Sequence, residues 1–550
     1  MEALNLRRYE TLGPFEIKND LAKIATTSAE TSAISYLNAG RGNPNWIATE
    51  PREAFFLLGQ FAIVESKRVL DLPPGVGGMP KKDGIAVRLE NWLAKHSDMP
   101  GAEALAALVP WTLKKFGFDP DAFVHELVDS IIGDNYPVPD RMLVHNEKIV
   151  REYLQWAMCG EPRPKGMFHL YAVEGGTAAM CYIFKSMKTN RLLNPGDTIA
   201  LGTPIFTPYL EIPHLEDYDL NIVEVRAKQE NRFQFDDAEL KKLLDPKVKA
   251  FFLVNPGNPS SIALSAETIK KIGAILEKRP DLILLTDDVY GTFVPGFRSL
   301  LGAFPHNTIG VYSYSKYFGC TGWRLGVIAV HEYNLFDKLI GQHPEAVQKK
   351  LDKRYGELTL EPRALKFIDR IVADSRDVAL NHTAGLSLPQ QVMMALFSLN
   401  ELMDTKKYYQ KACIGIVKKR VEATLEGLGI NPDPNPLYDY YYGLIDLEFW
   451  LGKVVDTEVI DWIKTNIHPL DIVFRLAEDH GIVLLNGGGF DAPDWSVRVS
   501  FANLNDHVYD DIGRAVRAIA RSYVQSYEVS RQTMSKAPVA KGTKGSDAAK

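Results

Sequence analysis

Short apolar segments alternate with helical segments between residues 165 and 331, and this alternation constrains the fold more than any other feature of the sequence. Six of the segments are strand-sized and end at turn residues: FHLYAV, DTIAL, KAFFLV, DLILLT, TIGVYSY and LGVIAV. Between them lie amphipathic segments such as residues 265–279, in which Ser265 is a candidate helix N-cap. Nearly continuous apolar strands that alternate with helices predict a mainly parallel sheet covered by helices on both faces, an α/β fold.

Changes in composition and in the pattern of predicted helices and strands divide the chain into four parts. Residues 1–145 form an N-terminal segment of loops and helices, and residues 146–400 form a large domain that contains the alternating region. Within the large domain, residues 332–376 are a polar, helix-rich insertion. Residues 401–527 have the pattern of a smaller α+β domain, and the Lys/Ala/Gly/Ser-rich residues 528–550 are predicted to be disordered.

The charge balance excludes several classes of protein. The 550 residues include 63 Lys and Arg against 69 Asp and Glu, a formal net charge of -6, which leaves no basic excess for nucleic-acid phosphates. No stretch approaches the ~18 apolar residues of a membrane helix, and the first twenty residues lack the apolar core of a secretory signal. The four cysteines form no C-x-x-C pair, so we expect reduced thiols, no metal site and a cytoplasmic location.

Four of the predicted strands are followed by residues that can carry chemistry. In open α/β sheets ligands bind beyond the carboxyl ends of the strands, so these loops are candidates for one site. Each loop taken alone has an ordinary interpretation as a turn, a solvated acidic cap or a surface lysine. The loops are Glu174-Gly175-Gly176-Thr177, Asn255-Pro256-Gly257-Asn258-Pro259, Asp287-Asp288-Val289-Tyr290 and Ser313-Tyr314-Ser315-Lys316.

The order and spacing of these motifs resemble the pyridoxal-phosphate (PLP) enzymes of the aspartate aminotransferase fold, fold type I, from about residue 36 to residue 525. The resemblance implies a large α/β domain, a smaller α+β domain and PLP as the cofactor, with Lys316 as the Schiff-base lysine that also moves a proton at the substrate. It implies that Arg498, in WSVRVSFANL, binds the substrate α-carboxylate through two parallel hydrogen bonds. The cofactor-binding residues that it implies are Tyr136, Gly175, Gly176, Thr177, Phe206, Asn258, Asp287, Tyr290, Ser313, Lys316 and Arg324.

The resemblance also assigns these residues to separate parts of the cofactor. Asp287 faces the pyridine nitrogen and keeps it protonated, so that the ring accepts electrons. Tyr136, in DNYPVP, reaches the phosphate bound by the neighbouring subunit, which implies a homodimer with shared active sites. The remaining contacts are the ring 3′-oxygen for Asn258 and Tyr290, the ring face for Phe206, and the phosphate for Gly176, Thr177, Ser313 and Arg324.

Three departures from an ordinary aminotransferase resemble the aspartate 4-decarboxylases (L-aspartate β-decarboxylases). They are the length of the chain, the insertions at about residues 70–130 and 332–376, and Arg41 in the substrate loop 38–44, where ordinary members carry an apolar residue. This resemblance implies conversion of L-aspartate to L-alanine and CO2 through a ketimine. It also implies side transamination with 2-oxo acids and assembly into a higher homo-oligomer.

The residue that holds the β-carboxylate is open between two arginines. Arg41 and Gly42 lie in the loop that normally lies against the substrate, with the alternative that Arg41 faces solvent. Arg376, in DSRDVALNHTAG, lies near the position where aspartate aminotransferases place a distal-carboxylate arginine from the partner subunit. Two other functions also remain open: a plain aspartate or aromatic amino-acid aminotransferase with unusual insertions, and a non-catalytic binding protein of the same fold.

Overall fold

The computed structural model describes residues 6–32, 36–215 and 218–536. Its α-helices are α1 (Pro14–Ser32), α2 (Glu50–Val69), α3 (Ile85–Lys95), α4 (Ala102–Phe116), α5 (Pro120–Ile132), α6 (Val144–Met158), α7 (Gly176–Thr189), α8 (Thr207–Glu211), α9 (Asp237–Lys241), α10 (Ala266–Lys278), α11 (Leu300–Ala303), α12 (Leu335–Gly341), α13 (Glu345–Tyr355), α14 (Phe367–Ser375), α15 (Leu388–Met403), α16 (Tyr408–Leu428), α17 (Leu447–Leu451), α18 (Thr457–Asn466), α19 (Asp471–His480) and α20 (Tyr509–Lys536). Its strands are β1 (Leu37–Asn38), β2 (Asp71–Leu72), β3 (Val76–Gly77), β4 (Phe168–Val173), β5 (Thr198–Thr203), β6 (Asn221–Arg226), β7 (Val248–Val254), β8 (Ile283–Asp287), β9 (Thr308–Ser313), β10 (Gly326–His331), β11 (Tyr442–Asp446), β12 (Ile482–Val483), β13 (Leu485–Asn486) and β14 (Ser496–Ser500).

A seven-stranded sheet organises the large domain, with the strand order β4-β10-β9-β8-β7-β5-β6. The strands from β9 to β6 pair in parallel, whereas β10 is antiparallel to both of its neighbours, β4 and β9. The prediction of a mainly parallel sheet is therefore confirmed, and all six predicted strands are present. The sequence analysis missed the edge strand β6, because NIVEVR mixes apolar with charged residues and is only partly buried.

Both faces of this sheet are covered by helices. Phe251 of β7 is buried in one apolar cluster with Ile272 of α10. The next residue, Phe252, points the other way and belongs to the larger cluster, which includes side chains of α7. Burying an aromatic side chain of this size contributes about 1.5–3 kcal/mol, which is why the strand is apolar at successive positions. The predicted N-cap is also confirmed, since Ser265 Oγ accepts a hydrogen bond from the backbone N–H of Thr268 at 3.1 Å.

The smaller domain combines an antiparallel sheet, in the order β11-β14-β13, with helices α16 to α20. The N-terminal helix α1 packs on α19, and β1 pairs in parallel with β12. Both N-terminal elements therefore pack with the small domain, although they precede the large domain in the sequence. Pairing between the two ends of the chain is a long-range contact that leaves no local pattern in the sequence.

The two insertions are helical. The first contains the short β2–β3 hairpin followed by helices α3, α4 and α5, and the second contains α12, α13 and α14. The buried Asp374 carboxylate joins the second insertion to the large domain, because it accepts hydrogen bonds from Ser186 of α7 at 2.7 Å and from Tyr355 of α13 at 2.9 Å. Arg354 also donates to it, at 2.9 Å.

The C-terminal helix is longer than expected. The sequence predicts disorder from residue 528 onwards. For residues 528–536 this prediction is wrong, because α20 continues to Lys536. Extending an existing helix costs little compared with starting one, so the polar end follows the part of α20 that is anchored by the buried Tyr527. Residues 537–550 lie outside the described ranges. Within those ranges, none of the helices combines the length and apolarity needed to cross a membrane.

Candidate active site

A cavity of about 310 Å³ lies at the carboxyl ends of β8 and β9, between the large sheet and the small domain. It brings together residues from the N-terminal loop, the four strand-end loops and β14. The cavity therefore lies where the carboxyl-end rule for α/β sheets predicts a ligand site. The sequence-predicted residues that line the cavity are Gly42, Gly176, Thr177, Phe206, Asn258, Asp287, Tyr290, Ser313, Lys316, Arg324 and Arg498.

Lys316 projects its amine into the cavity from the turn that follows β9. Its neighbours Tyr314 and Tyr317 are fully buried, and Tyr317 donates a hydrogen bond to the buried Glu401 carboxylate at 2.7 Å. The Lys316 Nζ donates to the backbone carbonyl oxygen of Gly42 at 3.0 Å. Lys316 is itself partly buried, as its apolar flanks predicted. The backbone is thus fixed while the amine faces the cavity.

Asp287 ends β8 and presents a buried carboxylate to the cavity. Tyr209 donates a hydrogen bond to its Oδ2 at 2.6 Å, and the backbone N–H of Val289 donates to its Oδ1 at 3.2 Å. Burial raises the pKa of Asp287, and these donors together with the nearby Lys316 oppose the increase. A cationic group bound beside this carboxylate would stabilise its ionised form.

Arg498 lies in the middle of β14 and is only 1% exposed. Its Nη1 donates to Asn258 Oδ1 at 3.2 Å and its Nη2 donates to the Gly40 carbonyl oxygen at 3.1 Å. Burial lowers the pKa of Arg498, and its Nε has no hydrogen-bond partner among the described residues. None of the carboxylates in the described ranges forms an ion pair with it, so the guanidinium is suited to bind an anionic ligand.

The start of α7 forms the opposite end of the cavity. Gly175 precedes this helix with a φ of 90°, a left-handed conformation that favours glycine, and Gly176 and Thr177 begin the helix. A Cβ at Gly175 would lie 2.5 Å from Nη2 of Arg324, which donates to the Glu174 carbonyl oxygen at 3.2 Å. Free backbone N–H groups, the positive helix end and a guanidinium together form a suitable phosphate site.

Aromatic side chains form the walls between these two ends. The ring of Phe206 meets the ring of Tyr209 edge-on, with centroids 5.2 Å apart, and meets the ring of Phe15 at 5.8 Å. The hydroxyl of Tyr290 donates to the hydroxyl of Tyr442 at 3.3 Å. The cavity therefore combines apolar walls with a small number of oriented polar groups, as small-molecule sites commonly do.

Arg376 lies outside the cavity, immediately after α14. Its Nη2 is 3.4 Å from Oε1 of Glu174, and its Nη1 donates to the hydroxyl of Tyr182 at 3.3 Å. Tyr182 in turn donates to Glu174 Oε2 at 3.1 Å. Glu174 begins the loop that leads into α7, so Arg376 contacts the loop at the end of the cavity where this helix starts.

Tyr136 and Arg41 are also outside the buried part of the site. Tyr136 is 66% exposed, and its ring lies 6.0 Å from the ring of His382. Arg41 is exposed in the loop that precedes Gly42. The pKa of Lys18 is lowered first by burial and then by the positive charges of Arg41 and Arg498, so these three cations lie near one another.

Comparison with known proteins identifies the family. Residues 173–381 match the family model for aminotransferases of class I and II. The chain is 49% identical over 524 residues to a bifunctional aspartate aminotransferase and L-aspartate beta-decarboxylase from Pseudomonas sp., in an alignment that covers 95% of this chain and 98% of the relative. The chain belongs to the family of this bifunctional enzyme.

Solved structures of this aminotransferase family share the fold. A double mutant of the Thermus thermophilus aspartate aminotransferase matches with a TM-score of 0.53 and 17% identity, covering 95% of this chain and 100% of that chain. An aromatic aminotransferase from Pyrococcus horikoshii OT3 matches with a TM-score of 0.53 and 16% identity, covering 92% and 99%. The predicted α/β fold of the aspartate aminotransferase type is therefore confirmed.

Pyridoxal 5′-phosphate is the cofactor of this aminotransferase family and hence of this protein. The cavity offers a partner for three parts of it, the aldehyde, the pyridine nitrogen and the phosphate. Lys316 has the amine for the aldehyde carbon, and the buried Asp287 carboxylate suits the pyridine nitrogen, whose positive charge would offset the raised pKa. Thr177 and Arg324, with the N-terminus of α7, suit the phosphate. The residues present therefore fit the group.

The sequence analysis missed three aromatic residues that line the cavity: Phe15, Tyr209 and Tyr442. Tyr209 follows Phe206 in the motif TPIFTPY, and its one-turn spacing from Phe206 was the available signal. Tyr442 is the last of a run of three tyrosines and the first residue of β11. Phe15 reaches the site because α1 packs with the small domain, a placement that no local pattern gives.

Proposed function

We propose that this protein decarboxylates L-aspartate at its β-carbon to give L-alanine and CO2, and that it also transaminates aspartate with 2-oxo acids. The observation that carries the proposal is that the amine of Lys316 and the guanidinium of Arg498 line one cavity. An α-amino acid needs both groups, the guanidinium for its α-carboxylate and the amine for proton transfer at Cα. The bifunctional relative aligns along almost the whole chain, and this extent supports decarboxylation as well as transamination.

Arg498 binds the α-carboxylate in the proposed complex. The guanidinium is held in place by Asn258 and Gly40, and a planar carboxylate supplies the counter-charge that the described residues do not. Its fixed position also orients the substrate, because two parallel N–H···O bonds allow little rotation. Recognition of the α-carboxylate therefore places Cα near the amine of Lys316.

Lys316 removes the proton from Cα and returns a proton there after the β-carboxylate has left. In the structure the amine of Lys316 donates a hydrogen bond to the Gly42 carbonyl oxygen at 3.0 Å, which holds it beside the cavity. Pyridoxal 5′-phosphate supplies an electron sink conjugated to the substrate nitrogen. Asp287 keeps a negative charge beside the ring-nitrogen position, while Phe15 and Phe206 exclude water from the cavity.

Arg41 is the proposed ligand of the β-carboxylate. The pKa of Lys18 is lowered first by burial and then by the positive charges of Arg41 and Arg498, which repel the protonated amine. The negative charge of Glu16 opposes this decrease. A second carboxylate on the substrate would relieve the repulsion, which favours a dicarboxylic acid. An exposed guanidinium holds that carboxylate only weakly, so it does not stabilise the ground state strongly against CO2 loss.

The proposal includes a homodimer with shared active sites and its assembly into a higher homo-oligomer. Tyr136 and Val138 are 66% and 75% exposed although one is aromatic and the other apolar, which suits a loop that contacts a partner subunit. Apolar residues are also exposed on and after α2: Phe56, Ile63, Val64, Leu70, Leu72, Val76 and Met79. Sedimentation of the purified protein tests this, and a monomer at micromolar concentration would contradict it.

The cytoplasm is the proposed location. Cys159, Cys181, Cys320 and Cys413 are free, and free thiols are typical of reducing compartments. Fractionation of the source cells, with an antibody against the protein, would check this.

Product analysis tests the proposed reaction. The purified protein with PLP and L-aspartate, without and then with 2-oxoglutarate, should form alanine and CO2 in equal amounts as its main products, with minor oxaloacetate and glutamate. The Lys316→Ala variant should form none of them, whereas Lys338→Ala, which changes an exposed lysine of α12, should behave like the unmodified protein. Glutamate and oxaloacetate with little CO2 would instead show a plain aminotransferase.

A further inference from the structure

Three consecutive tyrosines, Tyr440 to Tyr442, lead into β11, and Tyr442 is the member of this run that lines the cavity. Tyr442 is 2% exposed. The Cζ of Arg498 lies 4.2 Å from the centroid of its ring, and its hydroxyl accepts a hydrogen bond from Tyr290 at 3.3 Å. The phenol therefore extends from the group that binds the α-carboxylate towards the part of the cavity that holds the cofactor.

Gly42 shows how close the hydroxyl of Tyr442 comes to Lys316. A Cβ built on Gly42 would lie 2.7 Å from the hydroxyl oxygen of Tyr442 and 3.0 Å from Nζ of Lys316. The two polar atoms therefore face the same small space beside the Gly42 backbone. In the proposed reaction Lys316 acts at Cα, so a second proton-bearing group beside it is within reach of the adjoining carbon, Cβ.

Alanine formation needs one proton transfer that transamination does not need. Transamination moves the proton of Cα, whereas loss of CO2 leaves an electron pair that must be protonated at Cβ. Lys316 is occupied with the first transfer. The phenol of Tyr290, another hydroxyl at this end of the cavity, is assigned to the ring 3′-oxygen of the cofactor. The hydroxyl of Tyr441 donates to the Gly42 carbonyl oxygen at 2.8 Å, and Tyr441 does not line the cavity. Among the described residues that line the cavity, Tyr442 is therefore the one whose hydroxyl shares the space beside Gly42 with Lys316.

We propose that Tyr442 is the acid that protonates Cβ after CO2 has left, an inference that rests on the proposed decarboxylase function. The bond between Cβ and the carboxylate carbon breaks, CO2 leaves, and the electron pair forms a new bond between Cβ and the proton of Tyr442. The phenolate oxygen keeps the O–H electron pair and takes a proton from water when the cavity opens to release alanine. Each turnover consumes one solvent proton and requires no external oxidant or reductant.

The variant Tyr442→Phe, prepared as the holoenzyme, separates the two reactions. General acids contribute typically about 10²–10⁴-fold, so alanine formation from L-aspartate should fall by about 100-fold or more. Oxaloacetate and glutamate formation with 2-oxoglutarate should stay within about threefold, and the Kd for PLP, measured by absorption titration of the apoprotein, should be unchanged. The matched control Tyr440→Phe removes a hydroxyl outside the cavity and should change neither reaction.

The result that overturns the inference is alanine formation by Tyr442→Phe within about fivefold of the unmodified protein. An equal loss of decarboxylation and transamination, or a weakened Kd for PLP, would also overturn it, because a structural role would then explain the data. An unmodified protein that forms no alanine would overturn the proposed function itself, and this outcome is visible before any variant is made.

Discussion

Replacing Arg498 with glutamine should abolish most substrate binding while leaving the cofactor in place. A carboxylate on this guanidinium gains two charge-assisted hydrogen bonds, worth about 1.5–3 kcal/mol each. Loss of both amounts to about 3–6 kcal/mol, which lowers kcat/KM for L-aspartate by about 10²–10⁴-fold. Arg498→Lys keeps the charge but not the paired donors, so its kcat/KM should fall by about 10–100-fold.

Steady-state alanine formation gives kcat/KM for both variants, and absorption titration gives the Kd for PLP. Burial lowers the pKa of Arg498, so the buried charge opposes folding and does not stabilise it, and we expect Arg498→Gln to change Tm by only about 2–4 °C. Arg521→Gln, an exposed change on α20, is the matched control. A value of kcat/KM for Arg498→Gln within about fivefold of the unmodified protein would refute the assignment, and so would a loss explained by weaker PLP binding.

Three further substitutions separate the remaining roles. Arg41→Ala should shift the ratio of alanine to oxaloacetate about 2–5-fold towards alanine, because an exposed ion pair stabilises the β-carboxylate by up to about 1 kcal/mol; an unchanged ratio would contradict this. Arg376→Ala should raise the Kd for PLP about 3–10-fold, by releasing Glu174 and the loop before α7, and should leave that product ratio unchanged. Burial raises the pKa of Asp288 to about 7, so the folded protein should lose stability as this carboxyl ionises between about pH 4 and 7. Asp288→Asn removes this loss, and its Tm relative to the unmodified protein should therefore rise from pH 5 to pH 7; a constant difference would argue against it.

The strands of the large sheet could be predicted because burial on both faces leaves continuous apolar runs. The direction of β10 was harder to predict, since LGVIAV is as apolar as the parallel strands of the sheet. Its reversal follows from the short connection between β9 and β10, which has no α-helix to bring the chain back for a parallel pairing. The pairing of β1 with β12 depends on contacts between the chain ends, which no window of sequence contains.

The site could be predicted as far as its residues belong to local motifs. Lys316, Asp287 and Thr177 follow strands at the edge where α/β sheets bind ligands, and the structure brings them together in one cavity. Tyr442 enters the cavity only because β11 pairs with β14 beside Arg498. Such neighbours are set by strand register in the folded chain, so the sequence alone could not select one tyrosine from the run of three.

The cavity has two walls of separate origin. Lys316 and Asp287 are carried by the large sheet, whereas Arg498 and Tyr442 are carried by the small domain, and Phe15 comes from the helix α1 that packs with it. A substitution on the second wall therefore replaces no residue that the large sheet carries. Evolution or design can therefore retune which acid is accepted, and which bond is broken, without rebuilding the cofactor site.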